Sequence, residues 1–178
     1  MVELELEKTY LLKKLPDNLA SCPSEIISDA YIPAGQEHPV LRLRRRGDHY
    51  ELTKKQPVDG KDSTRQNEHT IKLSPEEAAA FTTVDAKRFT KRRYYCDING
   101  HKAEVDLYQD ALAGLAFTDF EFDNDAALQA FTMPDICLAD VSQEKIFAGG
   151  MLAGKTYADL QTKLDEYHYQ PLKLEDAA

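Results

Sequence analysis

Along much of the chain apolar and polar side chains alternate with a period of two, the mark of half-buried β-strands. The alternation predicts strands near 2–10, 25–32, 39–46, 49–56, 65–73, 89–98, 101–109 and 115–122. Helical signals are fewer. Ser74, Pro75 and Glu76 supply a cap, a first-turn proline and a first-turn acid for a helix over 74–81. Segments 124–131 and 156–167 are further helix candidates, the second with Leu160 and Leu164 on one face. No repeat, low-complexity run or linker divides the sequence, so residues 1–178 are read as one domain.

Two turns fix which side chains share a face. Asn99-Gly100 suits a two-residue hairpin turn, in which both positions need positive φ, and it sets Ile98 opposite His101, Tyr95 opposite Glu104 and Arg93 opposite Asp106. Opposed residues point to the same side of a sheet. One face of this hairpin therefore carries Lys91, Arg93, Tyr95, Glu104 and Asp106, and the other Tyr94, Val105 and Leu107. A turn at Gly47-Asp48 likewise puts Arg42, Arg44, Thr53 and Lys55 on one face, against Leu41, Leu43, Tyr50 and Leu52. By the same parity Glu5, Glu7 and Thr9 oppose Leu4 and Leu6, Asp119 and Glu121 oppose Phe120 and Phe122, and Glu68 points away from Ile71 and Leu73.

An open antiparallel sheet with one face on a core and the other in water gives such alternation without any function. A closed barrel, charged inside and apolar outside, accounts for more. Carboxylates and basic groups fill strand centres; Glu5-x-Glu7, Glu104-x-Asp106 and Asp119-x-Glu121 each set two acids about 7 Å apart on one strand face. Arg42-x-Arg44 and Lys91-x-Arg93 supply cations whose forks match phosphate oxygens. The expected fold is α+β: an eight-stranded antiparallel closed barrel, a tunnel with a charged lumen and helices packed outside. Carboxylates paired across strands suit a hard divalent cation, Mg²⁺ or Mn²⁺. The inward set has seven acids (Glu5, Glu7, Glu68, Glu104, Asp106, Asp119, Glu121) against five bases (Arg42, Arg44, Lys55, Lys91, Arg93), so two divalent ions would turn the lumen positive enough for a polyanion.

Composition narrows the picture. With 42% apolar and 30% charged residues the chain is that of a globular protein, and a net charge of −9 argues against non-specific binding of duplex nucleic acid. Cys22, Cys96 and Cys137 are odd in number, far apart and outside any metal-ligand spacing, which predicts neither a disulfide framework nor a zinc site. The sequence opens on an acidic strand rather than a basic leader, and no run approaches the roughly 18 apolar residues of a membrane span. A cytoplasmic protein is expected, with no membrane partner; a homodimer is compatible with this reading. His38, His49, His69, His101 and His168 are scattered, and none is expected to be catalytic.

In this order the residues resemble the CYTH superfamily, the triphosphate tunnel enzymes that include class IV adenylate cyclases, thiamine triphosphatases and inorganic triphosphatases. The resemblance runs through Glu5-Leu6-Glu7-Lys8-Thr9-Tyr10 and Leu15-Pro16, Leu41-Arg42-Leu43-Arg44, Leu52-Thr53-Lys54-Lys55, Glu68, Lys91-Arg92-Arg93-Tyr94, Glu104-Val105-Asp106, and Gly114-Leu115 with Asp119-Phe120-Glu121-Phe122. It implies metal-dependent hydrolysis of a small-molecule triphosphate. Inorganic triphosphate comes first among substrates, because it asks nothing beyond a charged tunnel. ATP cyclisation and thiamine triphosphate hydrolysis are alternatives within the family, and a non-catalytic polyphosphate or nucleotide binder is the alternative outside enzymes. Glu5, Glu7, Glu68, Glu104, Asp106, Asp119 and Glu121 would be metal-side residues; Arg42, Arg44, Lys55, Lys91 and Arg93 would hold phosphates. Glu5, Glu7, Arg44 and Lys55 are the candidate catalytic residues. One position departs: the family's lysine falls at Thr9, and Lys8 has the wrong parity for the lumen unless the strand bulges.

Overall fold

A computed structural model describes residues 2–176, with side chains from residue 4 to 175; the side chain of Glu3, expected at the tunnel mouth, lies outside these. The strands are β1 (Val2–Leu12), β2 (Ser24–Ile32), β3 (Leu41–Arg46), β4 (His49–Pro57), β5 (Arg65–Leu73), β6 (Lys87–Ile98), β7 (His101–Tyr108), β8 (Ala116–Glu121) and β9 (Cys137–Asp140). Their order is β5-β4-β3-β2-β6-β7-β8-β1, and β1 pairs back onto β5 to close an eight-stranded antiparallel barrel. Closure leaves no long strand edge open to further pairing.

Closure works because β1 changes partners along one of its edges. Residues Val2–Leu6 pair with β5, while Tyr10–Leu12 pair with β9 beyond the point where β5 begins. The opposite edge of β1 pairs with β8 from Glu7 to Leu11. β9, four residues long and without clean alternation, is the strand that the sequence pattern does not predict.

Both hairpin registers agree with the turn chemistry. Asn99 and Gly100 take φ of 56° and 82°, and Arg93 faces Asp106 as expected. Gly47 has φ 55°, and Arg44 faces Glu51. Because the Asn99-Gly100 turn sets the register of four lumen charges, Gly100→Ala is expected to cost about 1 kcal/mol of stability. A lowered urea midpoint at unchanged slope would record it.

The expected helices appear as α1 (Pro75–Ala79), α2 (Asp125–Ala130) and, third in the chain, α3 (Gly149–Leu152), followed by α4 (Tyr157–Glu166); α3 is the unforeseen one, since it is short and glycine-rich. Ser74 and Glu77 form a reciprocal capping box at α1, as Thr156 and Asp159 do at α4. Outside the barrel, Tyr10, Tyr94, Val105 and Phe120 pack with Leu15, Leu19 and Phe131. A second group joins Leu11, Tyr31, Phe89, Tyr108 and Phe117, at one end of the barrel, to Phe147, Leu152, Leu160 and Leu164 of the C-terminal segment.

Two expectations need correction. The apolar outer face is not covered everywhere: Leu4 and Ile71 are 52% and 61% exposed. Nor are all cysteines unpaired, because Cys22 and Cys96 form a disulfide and only Cys137 is free. The two lie 74 residues apart in sequence. The start of β2 runs beside the end of β6, with Ser24 facing Tyr94, and this non-local neighbourhood brings them together.

Candidate active site

All twelve residues that parity placed inward line one cavity of about 390 Å³ inside the barrel: Glu5, Glu7, Arg42, Arg44, Lys55, Glu68, Lys91, Arg93, Glu104, Asp106, Asp119 and Glu121. They come from seven of the eight barrel strands, because the period of two holds through each strand and both turns keep it in register. Thr9 also lines the cavity, facing Asp119 across the β1–β8 ladder. Lys8 faces Phe120, a fully buried residue of the outer core, so β1 carries its lysine on the outside as expected.

The bases are held by carboxylates of the protein. Arg93 donates to both oxygens of Asp106, Nε to Oδ1 at 2.7 Å and Nη2 to Oδ2 at 2.6 Å, and also pairs with Glu104 and, at 3.3 Å, Asp119. Lys91 pairs with the same Asp106. Burial alone would raise the Asp106 carboxyl, but Arg93 and Lys91 outweigh it and hold it at about 2. Burial, reinforced by the adjacent Arg93, pulls the Lys91 ammonium down to about 8 in spite of Asp106. Lys55 donates to Glu5 Oε1 at 2.6 Å and lies 3.4 Å from Glu68, which in turn accepts from Thr70 at 2.6 Å.

The acids do not act as one group. Glu5, Glu7 and Glu121 offer oxygens that lie within 4.8 Å of one another. Glu68, Glu104 and Asp106 are instead committed to Lys55, Arg93 and Lys91. Burial, with Glu5 and Glu121 adding to it against the pull of Lys55 and Arg93, raises the Glu7 carboxyl above its ordinary value. Three converging carboxylates, with Lys55 paired to Glu5, fit a hard divalent cation with oxygen ligands. Asp119, pushed up to about 6 by burial and by Glu7, accepts a 2.7 Å hydrogen bond from Thr9 Oγ1. The Thr9 N–H, at the gap between β5 and β9, is taken up by Ser142 Oγ at 3.0 Å.

Several lining residues have no place in the sequence reading. Asp29, buried behind the lining, lies directly across from Arg44 and grips it at two points. Arg46 pairs with Glu51 at 2.8 Å. At the end of the barrel covered by the C-terminal segment, Tyr31, Phe89, Tyr108 and Phe117 line the cavity together with Phe147, in a chain of ring contacts. Phe89, Tyr108 and Phe117 each stand two residues from a lumen charge, namely Lys91, Asp106 and Asp119. Carrying the period of two one step further along each strand would have found them. Of the histidines, His38 alone lines this cavity among the described residues.

No protein-family model matches the chain. A curated protein of Nitrosomonas europaea named inorganic triphosphatase is 27% identical over 151 residues, which is 84% of this chain and 96% of that protein. The crystal structure of the inorganic triphosphatase NE1496 matches with a TM-score of 0.62 at 23% identity, over 87% of this chain and 97% of that one. A putative adenylate cyclase from Bacillus halodurans matches with a TM-score of 0.56 at 14% identity, over 97% and 94% of the two chains. The two structures share the fold of this chain.

Proposed function

We propose that the chain is a member of the CYTH superfamily of triphosphate tunnel enzymes and that it hydrolyses a triphosphate, inorganic triphosphate first, with Mg²⁺ or Mn²⁺. The observation that carries the proposal is the convergence of five bases and seven acids on one cavity inside a closed barrel. Glu5, Glu7 and Glu121 would hold the cation, which supplies charge neutralisation and polarises a phosphoryl oxygen.

The basic side chains position the substrate. Arg42 Nε is buried without a hydrogen-bond partner, so this guanidinium is ready for an incoming phosphate oxygen. Arg44 and Arg93, gripped by Asp29 and Asp106, present fixed forks to charge that develops on a phosphoryl group. Lys55 shares Glu5 with the acid trio and thereby links the cation side of the cavity to the phosphate side. Thr9 brings a hydroxyl where the family has a lysine, and Lys91 is the nearest cation to Asp119 after Arg93 in electrostatic effect.

One observation favours a second reading. The aromatic end of the cavity offers a dock for a base or a thiazolium that the sequence does not reveal, so ATP cyclisation or thiamine triphosphate hydrolysis is the alternative. A panel of inorganic triphosphate, ATP and thiamine triphosphate, assayed for phosphate and for cyclic AMP with each metal, separates these. We expect phosphate from inorganic triphosphate at the highest kcat/KM. Arg44→Ala and Glu5→Gln should each lower it at least tenfold, and full activity in both would end the assignment. Tight triphosphate binding without turnover under any divalent ion would favour a binding protein instead.

The proposal extends to a homodimer, which sedimentation velocity tests, and to a cytoplasmic location. The Cys22–Cys96 bridge runs against that location, and alkylation in freshly lysed cells decides it: thiols at both positions support the cytoplasm and a bridge contradicts it.

A further inference from the structure

Resting on that reading of Arg44 as a phosphate-holding group, we propose that Asp29 is a positioning residue for the reaction: it fixes the Arg44 guanidinium by one edge so that the remaining N–H groups are aimed into the tunnel. Asp29 differs from the acids that line the cavity. It is 2% exposed and does not line the cavity, whereas Arg44, directly across the β2–β3 ladder, does.

The contact has the geometry of an anchor. Arg44 Nε donates to Oδ1 at 2.8 Å and Nη2 to Oδ2 at 2.7 Å. A guanidinium has five N–H donors, so this two-point contact consumes two and leaves three for a ligand. An arginine already held in place loses little side-chain freedom when it binds phosphate, and its fork is oriented before the substrate arrives.

Charge adds a second role to the same carboxylate. The positive groups acting on Asp29 are Arg44 first, then Arg42 and Lys91. These three cations come from β3 and β6, the strands on either side of β2, and would repel one another without a shared counterion. Asp29 supplies it from behind, where its own charge is screened from phosphate by the guanidinium it holds. Asp106 also grips an arginine, but it lines the cavity and faces the ligand directly.

A double-variant cycle on the full chain tests this, with phosphate release from tripolyphosphate as the readout and kcat and KM separated. Asp29→Asn keeps the shape and loses the charge and one strong contact. It should lower kcat/KM at least tenfold, mostly through KM, while in an Arg44→Ala background it should change kcat/KM less than twofold. An Asp29→Asn enzyme within twofold of wild type, beside an impaired Arg44→Ala, overturns the inference alone; so do effects that multiply in the double variant. A silent Arg44→Ala overturns the reading of Arg44 and the inference with it. If Asp29→Asn does not fold, Arg44→Lys carries the test, since it keeps the charge and loses the two-point grip. A fall of at least tenfold supports the inference, and turnover at the wild-type level overturns it.

Discussion

Glu7→Gln is expected to lower phosphate release by about 100-fold or more, the scale on which one electrostatic group at a reacting centre acts. Glu7 is half-buried in the acid trio, and glutamine keeps its volume while removing the charge that would hold a cation. The fold should not suffer. A carboxyl whose native value is raised destabilises the folded state as pH climbs from its unfolded value toward its folded one, so Glu7 works against the metal-free protein above its ordinary value. Glu7→Gln should therefore unfold at an equal or higher temperature than wild type without metal. It should also lose most of the stabilisation that added Mg²⁺ or Mn²⁺ gives wild type. Thermal scans with and without metal, beside the activity assay, separate this from simple misfolding.

Asp106→Asn should have the largest effect on stability, about 3–5 kcal/mol, because it leaves Lys91 and Arg93 buried with their principal counterion gone. Its pH signature follows from the depressed carboxyl. A group held near 2 in the fold, below its ordinary 3.8, stabilises fully above that ordinary value and loses its contribution as pH falls through about 2. Wild type should show a steep acid limb between these values and the variant a shallower one. Urea unfolding at a series of pH values measures both the offset and the slope, and parallel limbs would contradict the role given to Asp106.

Most of the barrel was legible because its strands keep strict parity. The Asn99-Gly100 turn fixed the register of β6 on β7, and with it the shared face of Arg93, Glu104 and Asp106. Parity says which side a residue points to, and that was enough to bring twelve residues to one cavity. It does not say how far a side chain reaches, so it could not tell that Glu5, Glu7 and Glu121 converge while Glu104 and Asp106 turn to Arg93.

What escaped the sequence depended on non-local contact. Asp29 lies in Ser24–Ile32, where Ile26 and Ile27 are adjacent and leave the parity of the strand undecided. The aromatic end of the cavity is made of residues that look like ordinary core, and only the C-terminal segment packed over them marks them as a wall. Cys22 and Cys96 meet because β2 and β6 are neighbours, which no local spacing reveals.

Thr9 is the position where the resemblance and the chain part. Its hydroxyl serves Asp119 and its backbone is secured by Ser142 at the gap in the β1 edge, so the site is built around threonine. An ammonium at this position would instead face Asp119 directly.

The charged tunnel is expected to work on phosphoanhydrides only with a divalent cation. The most direct test is the rate of phosphate release from tripolyphosphate by protein stripped of metal, before and after Mg²⁺ or Mn²⁺ is restored. No release is expected from the stripped protein, and recovery is expected on adding back the ion. Full turnover in excess chelator would contradict this expectation.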